Sequence, residues 1–210
     1  KPVAVFTLEM SREEVASRML CATARIDSMK VRTGMIGDNA WPRLTDAAGR
    51  LYDAPVFVDD SPMVTVTDIR AKCRRLKRKH GLELVVVDYL QLMQGSNREN
   101  RQQEIAEISR NLKNLARELE VPVMALSQLN RNLESREDKR PRLGDLRESG
   151  SLEQDADIVM FIYRDEYYNE QTDKRGIAEV VVAKHRAGST GPIDMTFMPE
   201  FTLFSDLGRG

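Results

Sequence analysis

Three apolar runs in this chain each close on a polar side chain able to act on a phosphate. LELVVVDYLQLM, residues 82–93, contains Asp88 directly after its valines, VAVFTLEM ends near Glu9, and VPVMALSQ ends on Gln128. Continuous Val/Ile/Leu marks a buried parallel strand, and ligands of open α/β sheets collect at the carboxyl ends of such strands. An acid at Asp88 is placed to hold a nucleotide-bound magnesium ion, directly or through water. A carboxylate at Glu9 is placed to polarise an attacking water beside a terminal phosphate. Gln128 carries a neutral amide that both donates and accepts, so it can sense a phosphate oxygen or orient water. Each residue alone also fits a plain strand terminus. Three strand ends of this kind in one sheet make coincidence a poor account.

Two further groups bear on the same chemistry. Lys184 and Arg186 close the run AEVVVAKHRAG at a hairpin containing Gly188 and Gly191. Two cations one residue apart on a turn are usually a solvated tip. They can also reach a neighbouring subunit's nucleotide, where Arg's rigid fork suits developing phosphate charge better than Lys. His185 between them reads as structural. Arg147, Glu148, Ser149 and Gly150 lie in residues 129–156, a stretch with no clear period that reads as a mobile loop. Gly permits close backbone approach, and one Arg with exposed N–H groups can hold a nucleic-acid backbone without reading bases. The seven cations between Arg70 and Lys79 alternate with inward apolar positions, so they read as the outer face of a helix.

The elements that must position these residues alternate strand and helix. Strands are expected near 2–9, 55–59, 83–89, 121–127, 157–163, 177–184 and 192–198. Ser11 with Glu14, and Thr65 with Asp68, have capping-box spacing and start helices. Gly81 stops the second of these. Ile105, Ile108, Leu112, Leu115 and Leu119 form one helical stripe. Residues 30–54 read as a short helix pair packed on the sheet. The first four strands then form a largely parallel sheet through right-handed crossovers. The last three lack intervening helices and are expected to add antiparallel hairpins at one edge.

The bulk numbers leave room for this and little else. The 210 residues are 41% hydrophobic and 31% charged, enough to fold as a domain. A net charge of −1 gives no global field for nucleic acid, so any such binding must be local. Cys21 and Cys73 lack metal-ligand spacing and read as reduced thiols. No apolar run reaches the length needed to cross a bilayer, and no signal peptide opens the sequence, so no membrane partner is expected. Lys1 and Pro2 lead straight into the first strand, as at the cut edge of a longer chain.

These segments together resemble the C-terminal motor domain of bacterial replicative DNA helicases, the DnaB family. VFTLEMSREEVASRML, IRAKCRRLKRKHGLELVVVDYLQLM, ENRQQEIAEISRNLKNLARELEVPVMALSQLNR, DKRPRLGDLRESGSLEQDADIVMFIYRDEYY and the turn KHRAGSTG carry the likeness over essentially the whole chain. The resemblance implies an α/β, RecA-like fold: a mostly parallel β-sheet flanked by helices, with antiparallel strands at the C-terminal edge. It implies a homo-hexameric ring that binds ATP and Mg2+ between subunits and passes single-stranded DNA through its centre. Primase and a helicase loader are implied as partners, and the bacterial cytoplasm, at the nucleoid or replisome, as the location. By position, Glu9 would be the catalytic base and Asp88 the Walker-B magnesium partner. Gln128 would couple the γ-phosphate to the DNA loops, Lys184 and Arg186 would serve the neighbouring active site, and Arg147, Glu148 and Gly150 would contact DNA.

One departure is plain. The family's Gly-rich phosphate loop with its Lys is not found in residues 1–210, nor is the N-terminal collar domain. The expectation is one RecA-like motor domain over 1–210, truncated at its N-terminus and inactive by itself. Two other readings stay open: a recombinase-like RecA-class ATPase, and a non-hydrolysing helicase paralogue acting as an assembly partner.

Overall fold

The computed structural model describes residues 1–95 and 100–208, without the side chains of residues 147–150. The elements begin β1 (Val3–Thr7), α1 (Arg12–Ala24), α2 (Ser28–Thr33), α3 (Trp41–Tyr52), β2 (Val56–Asp59), α4 (Val66–His80) and β3 (Leu84–Asp88). They continue α5 (Arg101–Leu119), β4 (Val123–Ala125), α6 (Gly150–Asp155), β5 (Ile158–Tyr163), β6 (Ile177–His185), β7 (Gly191–Met198) and β8 (Leu203–Asp206). Two compact units emerge. The first comprises Lys1–Arg12, Ala54–Leu133 and Leu143–Ala156; the second comprises Glu13–Asp53, Glu134–Arg142 and Asp157–Gly210.

The first unit is built on a parallel sheet in the order β2-β1-β3-β4. Ala4 and Phe6 of β1 and Val85 and Val87 of β3 point to one face and are at most 1% exposed. Against that face lie Ile69 and Cys73 of α4 and Ile105, Ile108, Leu112 and Leu115 of α5. The alternate residues Val5 and Val86 are only half-buried, so burial alternates along β1 and β3 although their sequence is continuously apolar. Burying each large aliphatic side chain stabilises the unit by about 1.5–3 kcal/mol.

Local chemistry sets the helix limits. Thr65 caps α4 in a reciprocal box with Asp68, and Gly81 ends it in the left-handed region at φ 72°. Asn100 caps α5 by accepting from the backbone N–H groups of Gln102 and Gln103. Three of the α4 cations have structural partners: Arg70 and Arg74 reach Glu118 on α5, and Lys72 pairs with Asp59 at 2.6 Å.

Residues 129–156 are more ordered than their sequence implies. They carry 3-10 helices over Arg131–Ser135 and Leu143–Ser149 and then α6. Leu133 and Leu146 are buried, and Leu152 packs against the core. Ser109 on α5 donates to Asp155 at 2.7 Å. These anchors are too irregularly spaced to register as a period, which is why the stretch reads as a loop.

In the second unit, β5-β6-β7-β8 form a separately hydrogen-bonded antiparallel sheet, with a bulge between Val159 and Met160. β8 adds to the strands expected from the sequence. Along β5, exposed Ile158, Met160 and Ile162 alternate with buried Val159, Phe161 and Tyr163. The helix pair α2 and α3 joins Ala24 and Ile26 at the end of α1, burying Leu44 and Ala47 in a small cluster.

The segment 134–142 is pinned within this unit by charge. Arg140 and Lys174 both donate to the buried Glu179 carboxylate, and the Arg140 guanidinium lies 4.6 Å over the Tyr163 ring. Tyr163 in turn donates to Asp165 at 2.7 Å. The hydrogen bonds of Arg140 hold the Glu179 carboxyl down at about 2 against the upward push of burial, with Lys174 adding to the effect.

Both cysteines are buried; Cys73 is fully enclosed and burial pushes its thiol up to about 12. No helix among the described residues is long and apolar enough to cross a membrane.

Candidate active site

The register of the first sheet brings three of the sequence-predicted residues to one edge. β1 and β3 pair from Val3 with Leu84 to Thr7 with Asp88, and β3 pairs with β4 up to Val87 with Ala125. Beyond Thr7 the backbone N–H of Leu8 still donates to the Asp88 carbonyl at 2.7 Å. Asp88 therefore ends β3, and Glu9 and Gln128 lie just beyond the carboxyl ends of the adjacent parallel strands β1 and β4. The Asp88–Tyr89 peptide bond is cis.

The turn carrying Glu9 is fixed from below. Thr7 is 2% exposed, and its hydroxyl donates to the Met10 carbonyl at 2.9 Å while accepting from the Met10 N–H at 3.2 Å. This side-chain closure holds the bend and leaves Glu9 exposed to solvent. Asp88 is half-buried, as suits an acid that meets a solvated cation at a strand end. Gln128 is exposed, but its backbone is held. Gln91, in the 3-10 turn Leu90–Leu92, accepts from the Gln128 N–H at 3.2 Å and donates to the Ser127 hydroxyl at 2.9 Å.

The fourth strand of the sheet also ends in an acid, which sequence reasoning passed over. Asp59 closes β2 after VFVD, the same signal as LVVVD in β3. Its carboxylate is already committed: burial pushes its pKa up, but hydrogen bonds from Lys72 and Ser61 outweigh this and lower it. Asp59 thus anchors α4, whereas no ion pair of Asp88 is seen among the described residues.

The donor set suits magnesium carried on a nucleotide better than a resident ion. Among the described residues no group of three or more His, Cys, Asp or Glu side chains stands together to hold a metal. A single half-buried carboxylate fits Mg2+, which keeps most of its waters and takes one or two carboxylates plus substrate phosphates.

Lys184 and Arg186 belong to the second unit, at the β6–β7 hairpin. Lys184 lies in β6 opposite Val159. Arg186 follows the strand: its backbone N–H donates to the Asp157 carbonyl at 2.9 Å and its guanidinium meets the Asp157 carboxylate at 3.2 Å. Gly188 folds over the His185 ring so closely that an added Cβ would lie 2.2 Å from Nδ1. Of the remaining predicted residues, Arg147 and Glu148 belong to the 3-10 helix Leu143–Ser149 and Gly150 opens α6, but their side chains lie outside the described residues.

Comparison with known proteins places these features in context. Residues 1–206 match the family described as the DnaB-like helicase C terminal domain. The chain is 54% identical to the replicative DNA helicase DnaB of Geobacillus stearothermophilus over 209 residues, covering 99% of this chain and 46% of that protein. It is 52% identical to the replicative DNA helicase DnaC of Bacillus subtilis (strain 168), again over 99% of this chain and 46% of the relative. The chain thus spans about half the length of these relatives. Among solved structures, one described as an ATPase domain is similar at a TM-score of 0.96 and 40% identity, covering 99% of this chain and 75% of that one. A DnaB-like replicative helicase described with its interactions with primase is similar at the same TM-score and identity, covering 99% and 51%.

Proposed function

This chain belongs to the DnaB-like helicase C-terminal domain family, and from that premise we propose that it is the motor portion of an ATP-driven replicative helicase. The protein translocates on single-stranded DNA as a homo-hexamer and separates the duplex during chromosome replication. It works in the bacterial cytoplasm with primase and a helicase loader. The observation that supports this reading is the placement of Glu9, Asp88 and Gln128 at or just beyond the carboxyl ends of three adjacent parallel strands.

In this reading Asp88 holds magnesium through water, and Glu9 accepts a proton from the attacking water. Gln128 senses the γ-phosphate and transmits its state toward Arg147, Glu148 and Gly150, which contact the DNA backbone. Arg186, with Lys184 beside it, serves the nucleotide of the adjacent subunit. When bound, Mg–ATP supplies the phosphoryl group whose release drives movement, and charge neutralisation at the phosphates is the largest service a protein renders to that chemistry. Residues 1–210 contain no Gly-rich loop with its Lys, so these residues by themselves turn over no ATP.

Glu9→Gln in the full-length protein tests the assignment. Loss of a well-placed general base costs about 10²–10⁴ in rate, while binding of a fluorescent ATP analogue stays intact. Hydrolysis at the unmodified rate would remove Glu9 from the mechanism.

A further inference from the structure

The backbone ladder between β3 and β4 extends past the strands: Leu126 N–H donates to the Val87 carbonyl at 2.9 Å and Leu90 N–H to the Leu126 carbonyl at 3.0 Å. There the peptide pairing gives way to a side chain. The Gln91 amide accepts from the Gln128 N–H at 3.2 Å and directs its own N–H2 to the Gln128 carbonyl at 3.3 Å and the Ser127 hydroxyl at 2.9 Å. A primary amide offers both a donor and an acceptor, so it can stand in for a peptide group in the ladder. Gln91 thereby continues the ladder to Gln128.

The other end of Gln91 is tied down as firmly. Its backbone carbonyl accepts from Arg101 at 2.5 Å, and Arg101 also reaches the Met93 carbonyl at 3.4 Å. Arg101 is paired with Glu104, a carboxylate only 6% exposed, which accepts from the Gly95 N–H at 2.6 Å. Gly95 packs closely here: an added Cβ would lie 2.3 Å from the Glu104 side chain, which would have to shift. The turn after β3 is thus braced on the first turn of α5.

We propose that Gln91 is a positioning residue: it clamps the Gln128 backbone to the turn that follows Asp88, so that the Gln128 side chain alone is left to respond to the phosphate. The clamp also sets a second connection. Two residues beyond Gln128, the Asn130 N–H donates to the Asp145 carbonyl at 3.1 Å, in the 3-10 helix that contains Arg147. A cavity of about 250 Å3 beside the Gln128 side chain is bordered by Gln91, Arg101, Gln128, Asn130 and Asp145. A fixed backbone with a free side chain converts a change at the phosphate into a defined displacement toward Asn130; a loose backbone would absorb it.

This inference rests on the sensing role proposed for Gln128, and the test separates the two. Steady-state ATP hydrolysis of the full-length protein is measured with and without single-stranded DNA for Gln91→Ala, Gln91→Glu, Gln128→Ala and the Gln91→Ala/Gln128→Ala pair. Gln91→Glu keeps size and one acceptor but removes the donor. Both Gln91 variants should lose about tenfold in the DNA-stimulated kcat, while KM and the DNA-free rate stay within about twofold. The double variant should be no worse than Gln128→Ala, since the two residues act as one unit. If Gln128→Ala keeps its DNA stimulation, the sensing role fails and the clamp fails with it. If Gln128→Ala loses stimulation but the Gln91 variants keep it, the clamp alone is overturned. An equal fall in the DNA-free and DNA-stimulated rates would also overturn it, leaving Gln91 a merely structural residue.

Discussion

Replacing Glu179 with Gln removes a buried charge from a pin that ties the 134–142 segment to β6, and the structure sets both the size and the pH dependence of the loss. The carboxyl falls from 4.5 to about 2, with the Arg140 hydrogen bonds as the largest cause. At about 1.4 kcal/mol per unit that shift corresponds to a ceiling of about 3.5 kcal/mol. The Arg140 and Lys174 side chains are 42% and 40% exposed, so solvent screening brings the expected loss to about 1–2 kcal/mol. Because the folded pKa is depressed, the stabilisation is fully present above the ordinary value of 4.5 and is lost as pH falls toward 2. Urea denaturation of Glu179→Gln and the unmodified protein at pH 7 and pH 3 reads this directly. The stability gap should be widest at pH 7 and should close by more than half at pH 3. A gap of equal size at both pH values would show that Glu179 acts through packing and that its charge is not the source of the effect.

Two further outcomes follow from the same structure. Leu115 is fully buried between α5 and the sheet, so Leu115→Ala should cost about 2–5 kcal/mol by denaturant titration; a loss below about 1 kcal/mol would mean that the site collapses around the gap. Arg186→Ala should abolish hydrolysis in the full-length protein and leave nucleotide binding within a few-fold. Rings mixed from Arg186→Ala and Asp88→Ala subunits should regain part of the activity, and failure to regain any at every ratio would end the case for action in trans.

The strand ends that carry the candidate residues were legible in the sequence because one physical signal marks them. An apolar strand that stops on a charged or amide side chain names the element and puts a polar group at its end, as at Glu9, Asp88 and Gln128. It does not name that group's role: the same signal at Asp59 serves an ion pair with Lys72. Thr65 with Asp68 and the stripe from Ile105 to Leu119 were legible because capping and helical periodicity are local. What stayed hidden depends on distant partners. Gln91 reads as the tail of an apolar run, and its meaning comes from residues 36 and 37 positions later. The order in residues 129–156 rests on scattered leucines, and the four residues of β8 gain strand character by pairing with Met195–Met198 of β7.

The depth of the two cysteines also matters at the bench. A thiol reacts as its thiolate, and only where a reagent can reach it. Cys73 is fully enclosed, with its thiol held up at about 12, and Cys21 is 1% exposed. Neither Cys21 nor Cys73 should therefore react with a maleimide while this domain is folded. A single cysteine introduced at Met35, Tyr52 or Met63, which are 76%, 90% and 68% exposed, would carry a fluorophore or spin label without prior removal of either native thiol.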